Sequence, residues 1–364
     1  MIYIFYITAG FLLIRLLVVF ANILSKPYLQ QAEVKDHSAL ISVLIPARNE
    51  ENNIGSVLNQ LKNQSYKNIE IIVLDDDSED NTYKLATDFF TSNAKIIQGQ
   101  IIQGEKLPAG WLGKNWACHQ LALKAKGQYF LFVDADVILA PEAIESAYMQ
   151  VRKNALSLLS LFPDQVLKTI GEKLVVPFMH YILLTLLPLR LIYKSKNPAF
   201  SAANGQFMFF QAKDYKSWHS QLKGAVTEDI EILRKMKTEG FKTETLLGNK
   251  LVLCRMYNSF SDALEGFSKN IFAGFGNNIV FISLYFLLTL VFPVLILIYL
   301  PVNFFIVVAI LALLLKLGVS YLAKYDLAEQ IFLHFFQVFI SLWLGIKSVY
   351  NTYTRQNKWK GRRI

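Results

Sequence analysis

The sequence predicts an α/β domain built on a parallel sheet and carried between apolar segments at both ends. Three observations carry this reading. Short apolar runs of the buried-strand kind, ISVLIPA at 41–47, IEIIVLDDD at 69–77 and YFLFVDADV at 129–137, alternate with helical patterns such as 54–64 and 84–92. That alternation builds βαβ units and a parallel sheet. Polar motifs (PARNEE, DDDSED and DAD) sit at the carboxyl ends of those runs, where open α/β sheets bind ligands. Finally, hydrophobic residues make up 53% of the chain against 18% charged, with a mean hydropathy of +0.33, and the excess collects at the N-terminus and in the last quarter.

Residues 2–24 form an apolar run long enough to span a bilayer. Arg15 lies inside it and must snorkel or pair with another element. A cleaved signal peptide would need a basic start and a shorter apolar core, so residues 1–25 read as an anchor. Lys26 follows the span and nothing basic precedes it, which places residues 40–270 in the cytosol.

Within that stretch, 174–193 is apolar but holds Pro177, His180, Pro188 and Arg190. It reads as an amphipathic segment lying in the interface, since a crossing would separate later motifs from earlier ones. Three further apolar runs follow within 279–350, at about 279–299, 302–322 and 329–350. Residues 351–364 form a basic tail with Arg355, Lys358, Lys360, Arg362 and Arg363, a density that favours the cytosolic side. Three full crossings would put that tail outside, so one run is interfacial or re-entrant, or the tail breaks the rule.

Composition excludes several classes. The net charge of +9 fits cytosolic flanks beside anionic lipid, and no basic stripe interleaved with aromatics marks a nucleic-acid surface. Two distant cysteines, Cys118 and Cys254, exclude a disulfide framework and fit a reducing compartment. The five histidines are scattered, with no zinc-ligand spacing.

Five motifs carry chemistry. Asp134 and Asp136, at the end of YFLFV, would repel each other unless a cation compensates. Mg²⁺ or Mn²⁺ between them and a diphosphate does so, since Mg²⁺ is commonly held by one or two carboxylates plus phosphates. The plain alternative is a solvated acidic turn. In Asp75-Asp76-Asp77-Ser78-Glu79-Asp80, one acid can accept from a base N–H or a ribose hydroxyl while Ser78 or Asp80 caps the helix starting near Thr82. Pro46, Arg48 and Glu50 stand where the first strand turns into a helix whose amides suit a nucleotide or phosphate; otherwise this is an ordinary helix start. In GWLGKNWAC at 110–118, glycine permits close backbone approach and Lys114 can meet a phosphate; alternatively Lys114 is a surface lysine, the tryptophans pack, and Cys118 is a small buried hydrophobe. Thr227-Glu228-Asp229 offers a carboxylate at a helix start, a candidate general base, but on these residues alone capping by Thr227 or Asp229 is the better-supported reading.

In this order, PARNEE, DDDSEDNT, GK, DAD and TED resemble the family 2 glycosyltransferases over residues 41 to about 240. GWLGKNWAC, FVDADV, CRMYNSF, EGFSKN and terminal WKGR extend the likeness over nearly the whole chain, toward carotenoid glycosyltransferases of the 4,4'-diaponeurosporenoate type and hopene-associated glycosyltransferases. The resemblance implies a GT-A fold, Rossmann-like, with terminal transmembrane helices. It further implies inverting transfer of one sugar from a nucleotide-sugar donor, a UDP-sugar, to a membrane-lipid acceptor. By that match Asp75 and Asp76 bind the base, Lys114 contacts the donor, Asp134 and Asp136 hold metal and diphosphate, and Asp229 is the catalytic base. Glu228, Arg255 and Lys269 are candidate acceptor or phosphate contacts. Processive relatives carry a QxxRW motif, and this chain has no Arg-Trp pair, which disfavours a polysaccharide synthase. A catalytically inactive membrane scaffold is the remaining alternative, and the intact DAD and TED argue against it.

Overall fold

The structure, a computed structural model, describes residues 1–33, 36–354, 356–359 and 362–363. Arg355, Lys360 and Gly361 of the basic tail and the WKGR motif lie outside the described residues. The chain forms two compact units, an α/β unit of Pro27–Val166 with Arg190–Met256, and a helical unit of Met1–Lys26, Leu167–Leu189 and Tyr257–Ile364.

The α/β unit holds a seven-stranded sheet. Its strands are β1 (Ile41–Ala47), β2 (Ile69–Asp75), β3 (Gln98–Gln103), β4 (Tyr129–Val133), β6 (Leu158–Phe162), β8 (Phe207–Gln211) and β9 (Thr243–Leu247), in the order β3-β2-β1-β4-β8-β6-β9. A small sheet joins β5 (Val137–Leu139), β10 (Val252–Cys254) and β7 (Asp164–Gln165) in the order β5-β10-β7. The helix Ile54–Lys62 follows β1, and the helix Thr82–Asn93 follows β2. β1, β2 and β4 are parallel, as the alternating pattern predicts, and β3, which that pattern does not mark, pairs parallel to β2. β1, β2 and β4 are buried almost throughout, completely from Ile41 to Ile45 in β1, as helices covering both faces require, whereas the edge strand β3 is half-exposed.

The sheet departs from a purely parallel one at β8, which runs antiparallel to both β4 and β6. The chain leaves the sheet at the carboxyl end of β6 and returns at the same end, so β8 enters in the opposite direction without a crossover. Pro46 is tolerated inside β1 because pairing with β4 has already ended at Leu44–Phe132 while β2 continues alongside to Ala47.

In the helical unit four helices are long and apolar enough to cross a membrane: Ile2–Ser25, Ile279–Tyr299, Val302–Leu322 and Leu327–Tyr353. The second contains a π-turn at Leu287–Val291 followed by Pro293. Pro177–Leu186 is a helix of 10 residues, half of the ~20 needed to span, and the backbone turns extended at Leu187 before Pro188. Arg15 pairs within this unit, its Nη2 donating to Thr185 Oγ1 at 2.6 Å.

Candidate functional site

The site gathers at the carboxyl ends of β1, β2 and β4, and its order begins with two laced loops. Arg48, 6% exposed, donates from Nη1 to the carbonyls of Asp76 (2.6 Å) and Asp77 (2.8 Å). Asn49 N donates to Ser78 Oγ at 3.0 Å, and Glu79 N donates back to Asn49 Oδ1 at 2.9 Å. Asn49 and Asp77 both take positive φ, at 53° and 60°, conformations that Asn and Asp accept more readily than most residues. The Arg48 guanidinium therefore shapes the loop that carries Asp75 and Asp76. Asp80 accepts from Thr82 N at 2.9 Å at the helix start, and Ser78 serves the neighbouring loop instead.

Asp75 accepts from Ser78 N through Oδ2 at 3.2 Å, while its Oδ1 is buried and has no hydrogen-bond partner among the described residues. A buried acceptor left open is costly unless something donates to it. Asp76 is buried beside it, and its amide donates to Ala47 O at 2.8 Å.

A second group surrounds Lys114. The helix Gly113–Lys124 aims Lys114 at Asp134, with Nζ 2.7 Å from Oδ2. Glu228 Oε1 lies 4.0 Å from the same ammonium. Burial disfavours the charge on Lys114, but Asp134 and Glu228 outweigh it and hold the amine protonated. Glu228 and Asp229 open the helix Glu228–Thr238, and Thr227 makes no side-chain cap. Asp229 accepts from Gly205 N through Oδ2 at 2.8 Å and from Ile230 N through Oδ1 at 2.8 Å. Burial raises the Asp229 carboxyl above its ordinary range, opposed by those hydrogen bonds and by Lys114. Burial likewise pushes Glu228 up to about 7 against the pull of Lys114.

Gly205 makes this crowding workable. A Cβ there would stand 3.2 Å from Lys114 Nζ, 3.4 Å from Glu228 Oε1 and 3.7 Å from Asp229 Cβ. The next residue, Gln206, donates from Nε2 to both oxygens of Asp136 at 3.3 Å and lies 2.9 Å from Cys254 Sγ. Burial pushes Asp136 up to about 7, reinforced by the negative charges of Asp134 and Glu50 and opposed by Lys114. This set of hard oxygens, short of positive charge around Asp136, suits a divalent cation such as Mg²⁺ or Mn²⁺. Among the described residues no three acids, histidines or cysteines form a metal cage, so phosphate oxygens would have to complete the shell.

Sequence reasoning missed Gly205 and Gln206, since nothing in NGQF signals a return strand ending beside acids from other motifs. It also missed Asn115, whose Nδ2 lies 3.0, 3.2 and 3.1 Å from the carbonyls of Leu222, Lys223 and Ala225. Asn115 thus anchors the loop leading into Glu228 and Asp229. The tryptophans pack with each other, Trp111 and Trp116 at 4.9 Å between ring centroids. Cys118 and Cys254 are buried free thiols. Arg255 follows β10 in the α/β unit, whereas Lys269 caps the helix Phe260–Ser268 in the helical unit.

A doubly wound sheet with acids at its carboxyl edge, extended by an antiparallel return strand, defines a GT-A fold. Residues 42–216 match the family profile described as Glycosyl transferase family 2. Two curated relatives are named 4,4'-diaponeurosporenoate glycosyltransferase. The one from Staphylococcus haemolyticus (strain JCSC1435) is 30% identical over 241 residues, covering 64% of this chain and 61% of that protein. The one from Staphylococcus aureus (strain USA300) is 26% identical over 247 residues, covering 66% and 63%. The matched region thus spans less than two thirds of the relatives' length. Among solved structures, the mannosyltransferase PcManGT from Pyrobaculum calidifontis, in complex with GDP-Man and Mn2+, superposes with a TM-score of 0.58 at 14% identity, covering 96% of this chain and 98% of that one. That likeness concerns the fold.

Proposed function

We propose that this protein is an inverting glycosyltransferase that moves one sugar from a nucleotide-sugar donor to a membrane-lipid acceptor. The observation that carries the proposal is Asp229, held by Gly205 N at 2.8 Å in a cluster that also contains the Lys114–Asp134 ion pair, on a fold of the family 2 type. A base and a cation for a leaving phosphate then share one site.

Asp75, with its open buried oxygen, accepts from the nucleotide base, a uracil in a UDP-sugar. Asp76 and the loop shaped by Arg48 complete that subsite, with Pro46 and Glu50 at its edge. Lys114 meets the diphosphate. Asp134 and Asp136 would hold Mg²⁺ or Mn²⁺, which when bound neutralises charge growing on the leaving diphosphate. Each Asp229 oxygen keeps a lone pair after its backbone bond, so the carboxylate can take the proton of an acceptor hydroxyl attacking the anomeric carbon. One in-line displacement inverts that carbon and needs no carboxylate nucleophile. Gln206 fixes the Asp136 rotamer through its hydrogen bonds.

The lipid acceptor is supported by the four apolar helices and by the name of the curated relatives, 4,4'-diaponeurosporenoate glycosyltransferase. Membranes containing the chain, given labelled UDP-glucose, UDP-GlcNAc or GDP-mannose with a bacterial lipid extract, should yield an organic-soluble product bearing a single sugar. Label found only in polymer, or never in lipid, would refute the proposal.

A further inference from the structure

Within the helical unit a cluster of cations is buried among helices apolar enough to span a bilayer. Arg15, on Ile2–Ser25, is 1% exposed, and Lys316, on Val302–Leu322, is 2% exposed. Both lie over the ring of Tyr181, at 4.9 Å for Arg15 and 5.8 Å for Lys316. His334, on Leu327–Tyr353, brings its ring to 6.1 Å from the same tyrosine. Three long helices and the short helix Pro177–Leu186 therefore converge on one point.

The described partners carry no negative charge. Arg15 donates from Nε and Nη2 to Thr185 Oγ1, at 3.2 and 2.6 Å, and its Nη1 is buried with no hydrogen-bond partner among the described residues. The Lys316 ammonium lies over the Tyr181 ring and makes no side-chain hydrogen bond to another described residue, and one turn further on Ser320 Oγ is buried without a hydrogen-bond partner among the described residues. Among the described residues no carboxylate lies within ion-pair distance of either cation. Of the acids of this unit, Glu329 pairs with Lys173, Glu172 sits in a capping box, Asp326 stands at a helix start, and Asp262 and Glu265 lie on the helix Phe260–Ser268. The ring faces of Phe11 and Tyr285, at 5.4 and 5.3 Å from Arg15, add a quadrupole, and the hydroxyls of Tyr285 and Tyr181 interact with the guanidinium as neutral partners. Charges at such depth ordinarily face a partner or a substrate path.

We propose that Arg15 and Lys316 form a binding site for the anionic group of a long-chain lipid, a carboxylate or a phosphate, held between membrane helices. The group would accept from Arg15 Nη1 and the Lys316 ammonium, with its tail in the apolar surroundings. Charge-assisted bonds of this kind are about twice as strong as neutral ones, and the planar guanidinium suits two-oxygen acceptors.

The test uses the full chain in nanodiscs of zwitterionic lipid. Uptake of radiolabelled oleate and of oleyl phosphate is compared with uptake of oleyl alcohol and with empty discs. Saturable uptake of an anion, absent for the alcohol, is expected, and whichever anion saturates at the lower concentration names the source. Lys316→Met should weaken that uptake about tenfold or more, the scale of one lost charge-assisted bond. Because Lys316 has no hydrogen bond to lose within the protein, this variant should keep its thermal midpoint, whereas Arg15→Gln also breaks the Thr185 contact. Equal uptake of alcohol and anions, no saturable uptake, or unchanged affinity in a folded Lys316→Met protein would each overturn the proposal. The measurement involves no sugar transfer, so it stands or falls separately from the proposed activity.

Discussion

Lys114 Nζ lies 2.7 Å from Asp134 Oδ2 and 4.0 Å from Glu228 Oε1, so one ammonium ties the acid turn after β4 to the acids that open the helix Glu228–Thr238. Residues 94 and 114 positions apart in sequence thereby share one electrostatic environment. Lys114→Met should lower kcat by about 10²–10³-fold, the scale for removing a preorganised charge from a developing anion. Lys114→Arg should restore little, because the planar fork does not fit beside Gly205, where even a Cβ would stand 3.2 Å from Nζ. Steady-state kinetics on both variants check this, and near-normal kcat in Lys114→Met would remove the lysine from the mechanism.

The two neighbouring acids separate by their contacts. Asp229→Asn should lower kcat with an alcohol acceptor by about 10²-fold or more, the usual scale of general-base loss, while nucleotide affinity stays nearly constant. Glu228→Gln keeps the Asp229–Gly205 bond and should lose less. A reversed ranking in kcat would assign the base to Glu228.

Asp136→Ala removes the carboxylate that Gln206 orients at 3.3 Å. Calorimetric titration with UDP, with and without Mn²⁺, should show metal-dependent tightening in the native chain and little in the variant. If tightening survives intact, the cation binds elsewhere.

His219 is buried and neutral, its Nδ1 2.7 Å from Tyr215 Oη, and burial lowers it to about 3. A histidine depressed in the folded state binds its proton more readily when unfolded. Stability is therefore full above the unfolded value of about 6.5 and falls as pH drops toward the folded value. Between about pH 7 and about pH 5 this group alone should remove about 2 kcal/mol. His219→Phe should be less stable at neutral pH, having lost the tyrosine bond, yet its thermal midpoint should fall less on acidification. Parallel acid profiles for both proteins would contradict this assignment.

Orientation is open to a labelling test. Cys118 and Cys254 are buried, so a cysteine placed at exposed Asn81 should dominate the signal. An impermeant maleimide should label it in disrupted cells and not in intact ones, if the α/β unit is cytosolic. Labelling of intact cells would reverse the orientation.

The sequence by itself determined the class of the fold and which acids stand at the ends of its strands. Strand identity follows from short apolar runs, and acids at their carboxyl ends are local features that survive into any packing. So Asp75, Asp134 and Asp136 were legible, as were the four apolar helices. Tertiary structure alone decided what these residues touch. Arg48 reads from sequence as a ligand contact, yet its guanidinium closes on the backbone of Asp76 and Asp77, because only the register of β1 against β2 sets the two loops side by side. Asp229 reads as a helix cap until β8 returns antiparallel and delivers Gly205 N to its carboxylate. Gln206 and Asn115 carried no signal at all, since a neutral amide gains its role only from the carbonyl or carboxylate that long-range folding places opposite it.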